Sequence, residues 1–101
     1  GQALGSASLE WSDIFLADGA VINFGNDQDI NLTHVADTGL TTNGTLQATV
    51  VRATAAIYEN ATTIAANYTI TSSNNAMSAG PITINSGISV TVPSGSSWAI
   101  I

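Results

Sequence analysis

The sequence predicts an all-β chain: an elongated β-prism, or a short β-helix or solenoid, built from short strands. Three observations lead there. Apolar residues fall on even-numbered positions over long stretches, most clearly Ile82, Ile84, Ile88, Val90, Val92, Trp98 and Ile100. The residues between them are mostly polar: Thr83, Asn85, Ser89 and Thr91. A period of two is the mark of a strand with one covered face. Turn residues also interrupt the chain every few positions, which leaves room only for strands of three to six residues. Finally, Ser, Thr and Asn make up 33 of the 101 residues, and these types favour strands and turns.

Taken in order, residues 1–10 are small and polar and read as a linker or the end of an upstream region. With no initiator Met, the chain reads as a processed or excised segment of something longer. Residues 11–101 read as one β module with an N-terminal part, 11–45, a connecting segment, 46–63, and a C-terminal part, 64–101. In the first part, Ile14-Phe15-Leu16 precedes a turn at Ala17-Asp18-Gly19, and Ala20 to Phe24 precedes Gly25-Asn26-Asp27. Ile30 to Val35 then runs into Ala36-Asp37-Thr38-Gly39, and Leu40 to Thr42 into Asn43-Gly44. Asp-Gly and Asn-Gly pairs are strong turn signals. Even positions again carry the apolar residues Ile14, Leu16, Ile22, Phe24, Ile30, Leu32 and Leu40, while Phe15, Val21 and Val35 depart from the rule. In residues 46–60 the two periods compete. The β-branched run Thr49-Val50-Val51 favours a strand, and Ala53 to Tyr58 has room for one or two helical turns. From Ile64 the alternation resumes through Tyr68 and Ile70, and two turns, Asn85-Ser86-Gly87 and Pro93-Ser94-Gly95, divide the last strands.

The pattern of strand, turn and one apolar face belongs to solenoids and β-prisms. A lone chain of this length builds few rungs and leaves its edges open. Three chains wound together would close a triangular section. The sequence therefore predicts a homotrimer whose shared core holds Ile82, Ile84, Ile88, Val90, Val92, Trp98 and Ile100.

Composition narrows the partners. Only 8% of residues are charged, against about 25% in an ordinary domain. Net charge is −6 and Arg52 is the single Lys or Arg, so binding to nucleic-acid phosphates has almost nothing to work with. No apolar run approaches the about 18 residues that a membrane-spanning helix needs, so no membrane insertion is expected. The chain has no Cys, which removes disulfides and thiolate metal ligands.

Few residues offer chemistry. His34 is the only His, and no Ser lies in a nucleophile motif, so no enzyme activity and no cofactor are expected. The residues Asp13, Asp18, Asp27, Asp29 and Asp37 would be the carboxylates of a glycan-cleaving site, but their places in the pattern are turns. Two metal candidates stand out. Asp27 and Asp29 in GNDQD offer alternating hard oxygen ligands of the kind calcium takes. His34, in phase with Ile30 and Leu32, would meet its copies on a threefold axis, where imidazoles can hold a transition metal; the competing reading is a core His bonded to a carbonyl.

Two stretches carry a resemblance. WSDIFLADGAVINFGNDQDINLTHV, residues 11–35, resembles a segment of virion structural proteins of marine bacteriophages, especially cyanophages. ENATTIAANYTITSSNNAMSAGPITINSGISVTVPSGSSWAII, residues 59–101, resembles the C-terminal ends of tail-fibre proteins from the same phages, with NYTITSSNNAMSAGPITI and VTVPSGSSW as its most specific strings. Together they span about two thirds of the chain. The resemblance implies a trimeric tail-fibre tip on the virion surface, joined to other virion proteins and attaching to a host receptor, with a glycan as one form of that receptor. The alternatives are a head fibre or capsid decoration protein, a polysaccharide depolymerase module, and a bacterial adhesin.

Overall fold

The computed structural model describes residues 1–101 and contains nine strands and no helix. The all-β expectation holds. The chain divides into two units, Gly1–Val50 and Val51–Ile101.

In the first unit, β1 (Val21–Phe24), β2 (Ile30–Val35) and β3 (Gly39–Thr42) form an antiparallel sheet in the order β1-β2-β3. The register sets Ile22 opposite Leu32, Phe24 opposite Ile30 and His34 opposite Leu40. Directly opposed residues in antiparallel strands share a face, so the even positions form one apolar face. Asn23, Asn31, Thr33 and Thr41 lie on the other. The expected turns form. Ala20 N–H donates to Ala17 O at 3.0 Å, and Thr38 N–H to Val35 O at 3.1 Å. Asp37, at φ 57°, takes the left-handed conformation that Asp tolerates better than most residues.

Asn43 acts as more than a turn former. Its Oδ1 accepts from Asn31 N–H at 2.9 Å, and its Nδ2 donates to Asp29 O at 2.8 Å. The side chain thus stands in for a strand residue and pins the start of β2. Ile14-Phe15-Leu16 forms no strand. Ile14 and Leu16 still line a groove beside Ile22 and Leu40.

The contested segment 46–60 is neither helix nor strand. Its one local feature is a turn closed by Ala56 N–H on Ala53 O at 3.1 Å. The Tyr58 hydroxyl accepts from Ala53 N–H at 2.9 Å and donates to Val51 O at 3.0 Å. These bonds take up backbone groups that a helical turn would need for itself.

The second unit holds six short strands: β4 (Thr63–Ile64), β5 (Tyr68–Thr69), β6 (Ala76–Ser78), β7 (Thr83–Ile84), β8 (Val90–Thr91) and β9 (Trp98–Ile100). They pair in parallel as β4-β7, β5-β8 and β6-β9. Two successive passes of chain therefore run side by side in the same direction, joined by three ladders. Thr63 lies opposite Thr83, Tyr68 opposite Val90 and Ala76 opposite Trp98. The spacing widens between the first ladder and the second because the later pass carries a longer turn. That turn is closed by Ile88 N–H on Asn85 O at 3.1 Å, with Gly87 at φ 78°. At the next corner the passes match. Asn74 N–H donates to Thr71 O at 3.0 Å, and Ser96 N–H to Pro93 O at 3.0 Å. The third residue of each turn has positive φ, Ser73 in the first pass and Gly95 in the second.

Even positions point into the space between the three ladders. Ile70, 3% exposed, is the one fully buried residue of the chain, and Ile64, Ala76, Ile82, Ile88, Val90 and Trp98 are half-buried. Their odd neighbours Thr63, Thr69, Thr83, Ser89 and Thr91 are exposed. Trp98 Nε1 donates to Ser78 Oγ at 3.0 Å, which settles the indole's polar edge inside an otherwise apolar space.

Candidate functional site

The residues with metal-binding potential are dispersed. Asp27 and Asp29 lie in the β1–β2 loop and lean over Gly25. A Cβ added to Gly25 would sit 3.1 Å from Asp27 Oδ1 and 3.6 Å from Asp29 Oδ1. Gly25 has φ 82°, so both the backbone and the carboxylates ask for glycine there. No third His, Asp or Glu joins the pair. His34 lies on the apolar sheet face, as its phase suggests. Its partner is a backbone amide rather than a carbonyl: Gly19 N–H donates to Nδ1 at 3.1 Å, and Asp18 Oδ1 lies 3.8 Å away. With Nδ1 accepting, the ring hydrogen is on Nε2. The imidazole ties the 17–20 turn to β2.

The seven residues assigned to a shared core, Ile82, Ile84, Ile88, Val90, Val92, Trp98 and Ile100, occupy inward positions of the second pass. Of these, Val90 and Trp98 line the space between the three ladders. Residues from all three ladders, among them Ile64, Ile70, Ala76, Ser78, Val90 and Trp98, line one open cavity of about 450 Å³. Ile84, Val92 and Ile100 remain 43–51% exposed.

Three asparagines that the sequence pattern did not single out link the passes. Asn60 Oδ1 accepts from Ala79 N–H at 2.8 Å, and its Nδ2 donates to Ala79 O at 3.0 Å. Asn67 Oδ1 accepts from Ser89 N–H at 2.9 Å, and Asn75 Oδ1 from Ser97 N–H at 2.9 Å. Each Asn sits just before or between short strands, where the ladder would otherwise end. The usable signal was the recurrence of Asn at 60, 67 and 75. Replacing Asn67 or Asn75 with Ala is expected to cost about 1 kcal/mol each, the usual worth of one such bond. Asn74→Ala, which removes a side chain with no hydrogen bond, should cost far less. Denaturant midpoints of the three variants check this.

The surface is the remaining functional feature. The chain exposes 8786 Å². Two separate globular bodies of half its 10.2 kDa would together expose about 6,400 Å² on the scaling of area with mass. The excess is on the order of 2,000 Å², and much of it is apolar: Ile14, Phe15, Leu16, Phe24 and Leu40 are all more than half exposed. Surfaces of that kind mark places where other molecules bind. Comparison of the chain with protein-family models, curated proteins and solved structures finds no match.

Proposed function

We propose that this chain is a structural and adhesive module of a bacteriophage particle: a homotrimeric tail-fibre tip on the virion surface that touches the host cell. The observation that carries the reading is the parallel stacking of two chain passes through three ladders, with apolar residues left uncovered. This is how a short, three-sided β-helix begins. Such a stack buries its apolar residues only when neighbours cover its ends, so it serves as a component of a larger fibrous assembly. The resemblance of residues 11–35 and 59–101 to phage virion and tail-fibre proteins points to the same setting.

The outward face supports an adhesive role. Thr63 lies beside Thr83, and Thr69 beside Thr91, in rows of exposed hydroxyls. A neutral, hydroxyl-rich surface suits a host glycan better than a charged partner. The paired passes supply a scaffold, other virion proteins hold it, and no step of covalent chemistry is assigned to it.

Immunoelectron microscopy of purified particles with an antibody to residues 59–101 tests the reading. Label at the distal ends of tail fibres is the expected result. Label over the capsid would replace it with a head fibre or decoration protein, and release of reducing ends from host polysaccharide by the purified chain would replace it with a depolymerase.

A further inference from the structure

We infer that copies of this chain meet through the even-numbered face of the β1–β3 sheet, not through the apolar residues of the C-terminal passes. The inference rests on the homotrimer proposed above and names the surface that builds it.

The first unit has no buried residue. Three strands hold a stable sheet only if their apolar face is packed against something. Here that face carries Ile22, Phe24, Ile30 and Leu40, extended by Ile14 and Leu16, each 41–68% exposed. At about 150–250 Å² for a large side chain, these six expose on the order of 600 Å² of apolar surface, a patch large enough to mark an interface. A standard interface buries about 800 Å² per partner, so the patch and its margins are the right size for one copy to cover another.

Charge agrees with an apolar occupant. Six of the seven carboxylates, Glu10, Asp13, Asp18, Asp27, Asp29 and Asp37, lie in this unit, with no Lys or Arg. Those near the sheet sit in the turns at Asp18, Asp27, Asp29 and Asp37; Asp18 borders the groove on this face, with its Oδ1 3.8 Å from His34 Nδ1, and His34 and Thr42 are the polar residues of the face itself. A second copy brings the same stripe, with its own carboxylates held at the margins. It is also present whenever the chain is, which lets folding and association proceed together. The C-terminal passes differ. Ile70 is buried without help from any copy and Ile64, Ile82, Ile88, Val90 and Trp98 are half-buried, leaving Ile84, Val92 and Ile100 as their more exposed members.

Two experiments on the full chain test this. In sedimentation velocity, Phe24→Asp and Leu40→Asp are expected to convert the oligomer to monomer, while Thr41→Asp, on the opposite face, leaves it assembled. In hydroxyl-radical footprinting of the wild-type chain, Phe24 should react several-fold more slowly than Phe15, which is 94% exposed, and Leu40 several-fold more slowly than Leu46, which is 79% exposed; this arm stands even if a variant fails to fold. A wild-type oligomer in which Phe24 reacts as fast as Phe15 and Leu40 as fast as Leu46, or which survives both substitutions, overturns the inference and leaves the trimer reading standing. A wild-type monomer with the face reactive overturns both. A monomer with the face protected assigns the surface to a segment of the same chain and overturns the inference too.

Discussion

Val90→Asp is expected to unfold residues 60–101, while Thr91→Asp leaves them folded. Val90 lies opposite Tyr68 in the β5-β8 ladder and is half-buried beside Ile70 and Trp98 in the space between the ladders. The one Lys or Arg of the chain is Arg52, on an exposed stretch, and no ion pair with it forms. A carboxylate at position 90 would enter an apolar space without a partner, at a cost of about 3–5 kcal/mol. At roughly 0.05–0.15 kcal/mol per residue, a unit of this size has about that much stability to lose. Thr91 points outward and is exposed, so its replacement should stay within about 0.5 kcal/mol. Circular dichroism and resistance to protease distinguish the two. Equal tolerance would mean that β8 has no covered face, and the reverse result would put the register off by one.

Ile70→Ala should produce the largest loss among apolar truncations, about 2–5 kcal/mol. Ile70 is the most covered side chain in the molecule, and Ile70 N–H donates to Thr91 O at 3.0 Å. The backbone is fixed by that ladder bond, which limits how far the walls can close over the missing atoms. Met77→Ala, at a position 72% exposed, should change stability little. Urea midpoints measured on both variants decide the matter. Similar shifts would show that Ile70 is not the centre of the packed region.

The alternation of apolar and polar residues made the strand faces legible, because a period of two states directly which side chains share a side. It correctly placed Ile22, Phe24, Ile30, Leu32 and His34 on one face, and Ile70, Val90 and Trp98 around one space. It could not state what covers a face, since a chain's own second pass and a neighbouring copy require the same pattern. The pairing of the two passes was hidden by length: the Asn85–Ile88 turn breaks an otherwise regular spacing, and β-strands of two residues carry little periodic signal. Residues 46–60 misled for a different reason. Thr49-Val50-Val51 has strand propensity but pairs with no strand, and the Tyr58 hydroxyl captures the backbone at 51 and 53. The links made by Asn60, Asn67 and Asn75 left only their recurrence as a signal, because an Asn that forms a turn and an Asn that bonds across to another pass look the same in a sequence.

The proposed homotrimer would cover the apolar surface that this chain leaves exposed. Sedimentation equilibrium of the wild-type chain at micromolar concentration tests it most directly. The expected result is a single species of three times the 10.2 kDa chain mass. A clean monomer with the same β-rich circular dichroism would contradict it.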